Sequence, residues 1–212
     1  MSWKSGFSRA ELAVLRPLNT PQKVQGFLNE LATNFELDGD TCRSPRRVLE
    51  TGEAHCVEGA ILAAAAFRLA GRRALLMELL TTADDDPHVV ALFQERGYWG
   101  AVGKTNHAVL RYRDAVYRDT RELAMSFFHE YFLNSNGQKT LRSITRPMNL
   151  ARFDARGWTV SERDVDYIPT ALEDAAHYSL LEPWQARGLR AADPIEIEAG
   201  KLVVERAPRR PR

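Results

Sequence analysis

The chain has 212 residues, of which 44% are hydrophobic and 27% charged, proportions typical of a globular protein and not of a disordered, collagen-like or disulfide-stabilised one. Its 29 Lys and Arg residues nearly balance 28 Asp and Glu residues, and the net charge of +1 gives no overall field that would concentrate nucleic acid or an anionic membrane. The N-terminus lacks the apolar run of a signal peptide and no stretch approaches the about 20 apolar residues of a membrane span, so the protein is expected to be cytoplasmic.

Three helices are predicted in the first third of the chain. Residues 20–31 begin with a Thr-Pro cap and continue with apolar residues at helical spacing. A Ser-Pro pair repeats this start signal for a short helix over residues 44–49. From Cys56 to Leu69 nearly every residue is apolar, which predicts a buried helix whose alanines let a sheet approach closely.

The apolar pattern then changes to that of β-strands. Residues 74–80 form a short apolar run between polar residues, residues 88–93 form a second, and residues 98–102 form a third after a hairpin loop at 94–97. A helix followed by antiparallel strands predicts an α+β fold.

The C-terminal third is predicted to be an extension, residues 136–205, that packs on the core. We expect further helices there and a terminal hairpin, because residues 194–198 alternate between apolar and polar, turn at 199–200 and resume to 204. Residues 206–212 contain four arginines and two prolines and are predicted to form a basic flexible tail.

The two cysteines have different surroundings in the sequence. Cys56 lies where a buried helix begins, so unpaired backbone N–H groups and the positive end of the helix dipole would favour its thiolate form. The alternative is that Cys56, like Cys42, is a packed core thiol. The neighbouring His55 is expected to fill the turn into the helix, and Glu53 and Glu58 are expected to be solvated charges at the helix end.

Three segments around these residues resemble the transglutaminase-like superfamily, whose members are papain-like cysteine hydrolases and acyl-transferases. They are Gly-Glu-Ala-His-Cys-Val-Glu-Gly-Ala at 52–60, Asp-Pro-His-Val-Val at 86–90 and Gly-Tyr-Trp at 97–99. The resemblance extends over roughly residues 20–125 and lies in the order of the elements. It implies a papain-like core over residues 20–135, in which the Cys56 helix packs on a small antiparallel sheet, preceded by a lead-in over residues 1–19.

The resemblance also implies roles for individual residues. In that family a helix-start Cys attacks an amide or ester carbonyl, a His that begins the following strand acts as base and acid, and an Asp on the next strand orients the His. Carried over, Cys56 is the nucleophile and His88 is the favoured base. The position of the orienting Asp corresponds to Gly103, which has no side chain.

Two alternatives remain for the third role. Asn106 or His107, which follow the third strand, could reach the imidazole of His88. In a second register, His107 is itself the base and Asp119 orients it, although the segment after His107 is more polar than the one after His88.

The function implied by the resemblance is that of a cysteine-dependent acyl hydrolase or acyl-transferase. It would act on an amide, isopeptide or ester of a peptide, protein or small acyl substrate through a thioester, with no metal or organic cofactor. The glycine at 103 favours an alternative, a catalytically inactive transglutaminase-like module that binds a peptide or protein in the cleft. Neither a nucleic-acid partner nor a membrane is predicted.

Overall fold

The computed structural model describes residues 6–37 and 39–204, and its fold is of the α+β class. Eight α-helices are assigned in this part of the chain: α1 Arg9–Leu15, α2 Pro21–Glu30, α3 Pro45–Thr51, α4 Cys56–Leu69, α5 Thr120–Met125, α6 Tyr167–Glu173, α7 Pro183–Arg187 and α8 Pro194–Gly200. Nine strands accompany them: β1 Ala32–Thr33, β2 Glu53–Ala54, β3 Leu75–Leu80, β4 His88–Glu95, β5 Tyr98–Val102, β6 Arg113–Tyr117, β7 Ser143–Thr145, β8 Met148–Asn149 and β9 His177–Ser179. Two 3-10 helices span Phe128–Glu130 and Leu150–Arg156.

The main sheet is antiparallel and contains seven of these strands. Their order is β6-β5-β4-β3-β7-β9, and β8 also pairs with β3. The predicted hairpin between β4 and β5 is confirmed, with Arg96 and Gly97 at its tip. Both residues have positive φ angles, 50° and 89°, which is the combination that a tight two-residue hairpin turn requires.

Helix α4 packs across one face of this sheet, as its composition predicts. Every residue from Glu58 to Phe67 is buried. The face of β4 turned toward α4 carries Val89, Ala91 and Phe93, while Val90 and Leu92 on the opposite face pack in a second core with α5. The N-terminus of α4 therefore lies near the start of β4, where His88 is located.

A glycine lets α4 approach the chain that follows β5. A Cβ atom added at Gly59 would collide with the side chain of Lys104, whose Nζ donates to the carbonyl of Leu31 at 2.8 Å. The close contact thus brings the segment after β5 against both α4 and the end of α2.

The C-terminal extension is part of the sheet. Strands β7 and β8 pair with β3, and β9 pairs with β7, so residues in 136–205 extend the sheet that begins in residues 20–135. These strands were not predicted, because their pairing partners are distant in sequence. The basic tail predicted at 206–212 lies outside the described residues.

The predicted terminal hairpin is wrong, because residues 194–200 form α8. Asp193 and Pro194 supply a helix cap and a proline at the first helical position, and Glu196 completes a capping box by accepting the backbone N–H of Asp193 at 2.6 Å. This local capping outweighs the alternating pattern. In the residues that the structure describes, no helix combines the length and apolarity needed to cross a membrane.

Candidate functional site

Cys56 is the first residue of α4 and lines a cavity of about 310 Å³. Its thiol is half-buried, while its backbone N–H, at the first helical position, has no acceptor within the helix. Helix capping explains why α4 begins here: His55 is the N-cap residue and Glu58 closes a capping box. The nucleophile predicted from the sequence therefore lies at a helix N-terminus and faces open space.

The imidazoles of His55 and His88 both interact with the Cys56 thiol and favour its thiolate form. Burial by itself raises the pKa of this thiol, but the hydrogen bonds and charges of the two rings outweigh burial and lower the pKa to about 5. At neutral pH the thiolate is therefore the favoured form. The sequence analysis considered His88 and, as an alternative, His107 as the base beside this thiol, so the interaction with His55 is a finding of the structure.

His55 holds its position through both ring nitrogens. Nε2 donates to the carbonyl of Thr41 at 2.9 Å, and Nδ1 lies 3.3 Å from the backbone N of Val57. A neutral ring accepts the Val57 N–H at Nδ1, whereas a protonated ring has no lone pair free to accept there. Burial disfavours the protonated ring, but the hydrogen bond to Cys56 and the Glu58 carboxylate raise the pKa of His55 to about 9.

Glu58 was expected to be solvated, and that expectation is wrong, because its side chain is fully buried. It accepts four hydrogen bonds, from the side chains of Asn34 and Thr41 and from the backbone N–H groups of Arg43 and His55, at distances of 2.9 to 3.1 Å. This carboxylate ties the loop before α3 to the start of α4. The loop thereby supplies the carbonyl that holds the His55 ring.

One ring nitrogen of His88, Nε2, has no hydrogen-bond partner among the described residues. His88 is only 6% exposed, so this nitrogen is also shielded from water. A Cβ atom built on Gly103 would lie 3.0 Å from this Nε2. The residue beside Nε2 is thus the glycine at the position where the resemblance implies an orienting Asp.

Gln25 fixes Gly103 beside the ring. Its amide accepts the backbone N–H of Gly103 at 3.1 Å and donates to the carbonyl of the same residue at 2.9 Å. Gln25 is buried in α2, at a helix position that the apolar periodicity places against the core. Sequence analysis missed it, although a polar residue on a core-facing position is the signal that could have revealed it.

Two of the three alternative site residues, Asn106 and His107, lie at the Cys56 cavity, and the third, Asp119, lies at the start of α5. Asn106 and His107 line the same cavity as Cys56, but neither forms a hydrogen bond with the Nε2 of His88. Asp119 is the N-cap of α5, where its Oδ1 accepts the backbone N–H of Glu122 at 2.7 Å, and it does not line the cavity. The structure brings together Cys56, His88, Asn106 and His107, and leaves Asp119 outside.

Two further buried groups near the thiol were not foreseen. The Tyr131 hydroxyl and one carboxylate oxygen of Glu78 are buried without a hydrogen-bond partner among the described residues. Burial, followed by the charges of Glu173 and Cys56, raises the pKa of Glu78 to about 7. Burial likewise raises the pKa of Tyr131. Glu78 lies on the face of β3 that α4 covers, which accounts for its poor access to water.

Cys42 is a packed core thiol, as predicted. It is 3% exposed and unpaired, and burial together with nearby carboxylates raises its pKa. No group of three or more His, Cys, Asp or Glu side chains able to hold a metal ion is found within residues 6–37 and 39–204. The thiols therefore differ sharply, and the reactive environment belongs to Cys56.

Comparison with known proteins adds no family assignment. No protein-family model matches the chain, and a search of curated proteins gave no match.

Proposed function

We propose that the protein is a cysteine-dependent acyl hydrolase or acyl-transferase of the transglutaminase-like, papain-like kind, with Cys56 as nucleophile and His88 as base. The observation that carries this proposal is the thiol at the start of α4, which lines one cavity together with His55 and His88, the two imidazoles that lower its pKa to about 5. A thiolate is the reactive form of cysteine, and a helix N-terminus stabilises it further. The substrate class is an amide, isopeptide or ester.

The chemistry balances with the residues present. The Cys56 thiolate adds to the carbonyl carbon, and the tetrahedral intermediate collapses to a thioester as the His88 imidazolium gives its proton to the departing amine or alcohol. Water, or an amine in a transferase, then attacks the thioester while neutral His88 takes its proton, and the thiolate leaves. His88 ends the cycle protonated, as it began.

The backbone N–H of Cys56 is suited to the oxyanion. It lies at a helix start, carries the positive end of the dipole and has no acceptor within the helix. His55 adds a second positive charge beside the same sulfur when it is protonated. The N-terminus of α4 can therefore stabilise the negative charge of the thiolate and of the oxyanion, which supports the proposed acyl-transfer chemistry.

One observation favours a second candidate, an inactive module that binds a peptide or protein. Among the described residues, the Nε2 of His88 has no hydrogen-bond partner, and Gly103 beside it supplies no carboxylate to orient the ring. Loss of the orienting residue in related catalytic arrangements lowers turnover by on the order of 10⁴-fold. The two candidates therefore differ in one measurable property. A slow enzyme releases the acyl group from Cys56 as product, whereas a non-enzymatic module does not.

The test is covalent labelling followed by turnover. The protein is incubated with activated esters and with peptide and isopeptide substrates, and intact mass is followed over time. Acylation of Cys56 that disappears as product forms is expected for the chain and for a Cys42→Ala variant. Cys56→Ala should give no adduct and His88→Ala should slow the reaction. An adduct that never turns over supports the binding module, and failure of every electrophile to modify the folded protein at Cys56 would exclude the enzyme.

A further inference from the structure

The four residues after α8, Lys201 to Val204, run antiparallel to the chain that borders the cavity; we call them the C-terminal strap. Val204 N–H donates to the carbonyl of Asn106 at 2.7 Å, and Ala108 N–H donates to the carbonyl of Leu202 at 3.0 Å. Between these bonds Val203 faces His107 in an isolated antiparallel bridge. The strap thus adds a short strand to an edge formed by residues 106–108.

This edge belongs to the cavity that contains the nucleophile. Asn106 and His107 line that cavity together with Cys56, and so does Gly200, the residue just before the strap. On the other side of the edge, Leu202 and Val204 line a neighbouring cavity of about 330 Å³. An extended segment bound at 106–108 is therefore directed along the border of the candidate active site.

The strap is held by backbone hydrogen bonds more than by packing. Leu202 is 65% exposed, Val203 40% and Val204 49%, so these apolar side chains keep much of their surface in water. Because the strap buries little apolar surface, we expect it to detach from residues 106–108 at a low cost in free energy. Hydrogen bonds to the main chain do not depend on side-chain identity, so the same pairing is chemically open to other extended segments.

We propose that residues 106–108 form a binding edge for an extended peptide segment with aliphatic side chains, and that the strap occupies this edge in cis. Such a peptide replaces the strap, pairs with Asn106 and Ala108 by the same two backbone hydrogen bonds, and lies with one end at the cavity. The inference rests on the proposed function in one respect, that the bound segment carries the acyl group toward Cys56. Binding itself requires no chemistry at the thiol.

The test measures peptide binding in a Cys56→Ala background, so acyl chemistry plays no part. A fluorescent peptide with the sequence of residues 200–205 is titrated by anisotropy against three chains: the full chain, a chain that ends at Gly200, and a matched control that lacks only residues 206–212. A second peptide is N-methylated at the position equivalent to Val204. This removes the N–H that donates to Asn106.

We expect the chain that ends at Gly200 to bind the peptide about tenfold or more tightly than the full chain, because a tethered strap competes at an effective concentration in the millimolar range. The control without residues 206–212 should bind the peptide as weakly as the full chain does. The N-methylated peptide should bind the chain that ends at Gly200 no more tightly than it binds the full chain. Equal binding to all three chains overturns the proposal, as does equal binding of both peptides.

A second variant covers the case in which the shortened chain does not fold. Val204→Pro in the full chain removes one of the two backbone hydrogen bonds without shortening the protein. It should raise peptide affinity and speed hydrogen exchange at the Ala108 amide. If both remain unchanged, the edge is not opened by releasing the strap and the proposal is refuted. A failed acylation assay leaves these binding results unaffected, so the two proposals fail separately.

Discussion

The low pKa of Cys56 depends on two imidazoles, and removing either should raise it by a measurable amount. The shift from the usual value near 9 to about 5 corresponds to roughly 5 kcal/mol in favour of the thiolate, at about 1.36 kcal/mol for each pKa unit. Because burial opposes the rings, each of two comparable rings contributes more than half of the net shift, and the loss of one raises the pKa to about 7 or higher. The thiolate fraction at about pH 6 then falls from about 90% to about 10% or less.

Two variants separate the rings. His55→Asn removes one imidazole but keeps a side chain that caps helices well, so α4 should still begin at Cys56. His88→Ala removes the other imidazole. His107→Ala is the matched control, because that ring lines the same cavity without a hydrogen bond to the thiol.

The thiolate should be followed by its ultraviolet absorbance as pH is varied. Alkylation rates are a poorer measure, because a thiolate of higher pKa is intrinsically more nucleophilic and partly hides the loss of population. Because the folded-state pKa is depressed, the thiolate is present above about pH 5 and is lost as pH falls through that value. The reasoning is refuted if the midpoint stays near 5 in either test variant, or if His107→Ala shifts it as far.

Three further predictions concern stability, measured by denaturant unfolding. Gln25→Ala removes both side-chain hydrogen bonds described above and should cost about 2–3 kcal/mol, whereas the exposed Gln22→Ala on the same helix should change little. Glu58→Ala leaves four donors without their buried acceptor and should cost about 3 kcal/mol or more. Gly59→Ala should cost about 1–3 kcal/mol by a steric clash, while Gly26→Ala, which meets no atom within 4 Å, should stabilise α2 by up to about 1 kcal/mol.

Each of these predictions has a clear contrary result. Equal effects of the two glutamine variants would mean that the two hydrogen bonds between Gln25 and Gly103 contribute nothing to the free energy of unfolding. An unchanged unfolding midpoint for Glu58→Ala would show that its donors find other partners. If both glycine variants stabilise the protein, the close approach of α4 relaxes without cost.

Elements that depend on local signals were predicted well. The apolar run placed α4 at Cys56–Leu69, the bounds that the structure shows, and the strand pattern placed His88 at the start of β4. A helix cap and a run of apolar residues act within a few positions of the chain. Such signals can be read without knowing what the segment packs against.

Features that depend on contacts between distant residues were not predicted. The strands β7, β8 and β9 are three residues long or shorter, and each needs a partner far away in sequence. Glu58 looked like a solvated helix-end charge, because its donors come from a loop whose path the sequence does not reveal. The same loop carries the carbonyl that orients His55, so the second imidazole at the thiol could not be inferred either.

The Gly103 position has an evolutionary consequence. A Cβ atom added there would lie 3.0 Å from the His88 ring and 3.4 Å from Val90, so a carboxylate introduced by a single substitution would press on the ring that it should orient. The Gln25 hydrogen bonds hold the Gly103 backbone in place against a compensating shift. We therefore expect a mutational path between this site and one with an orienting Asp to need a second change that makes room beside the His88 ring.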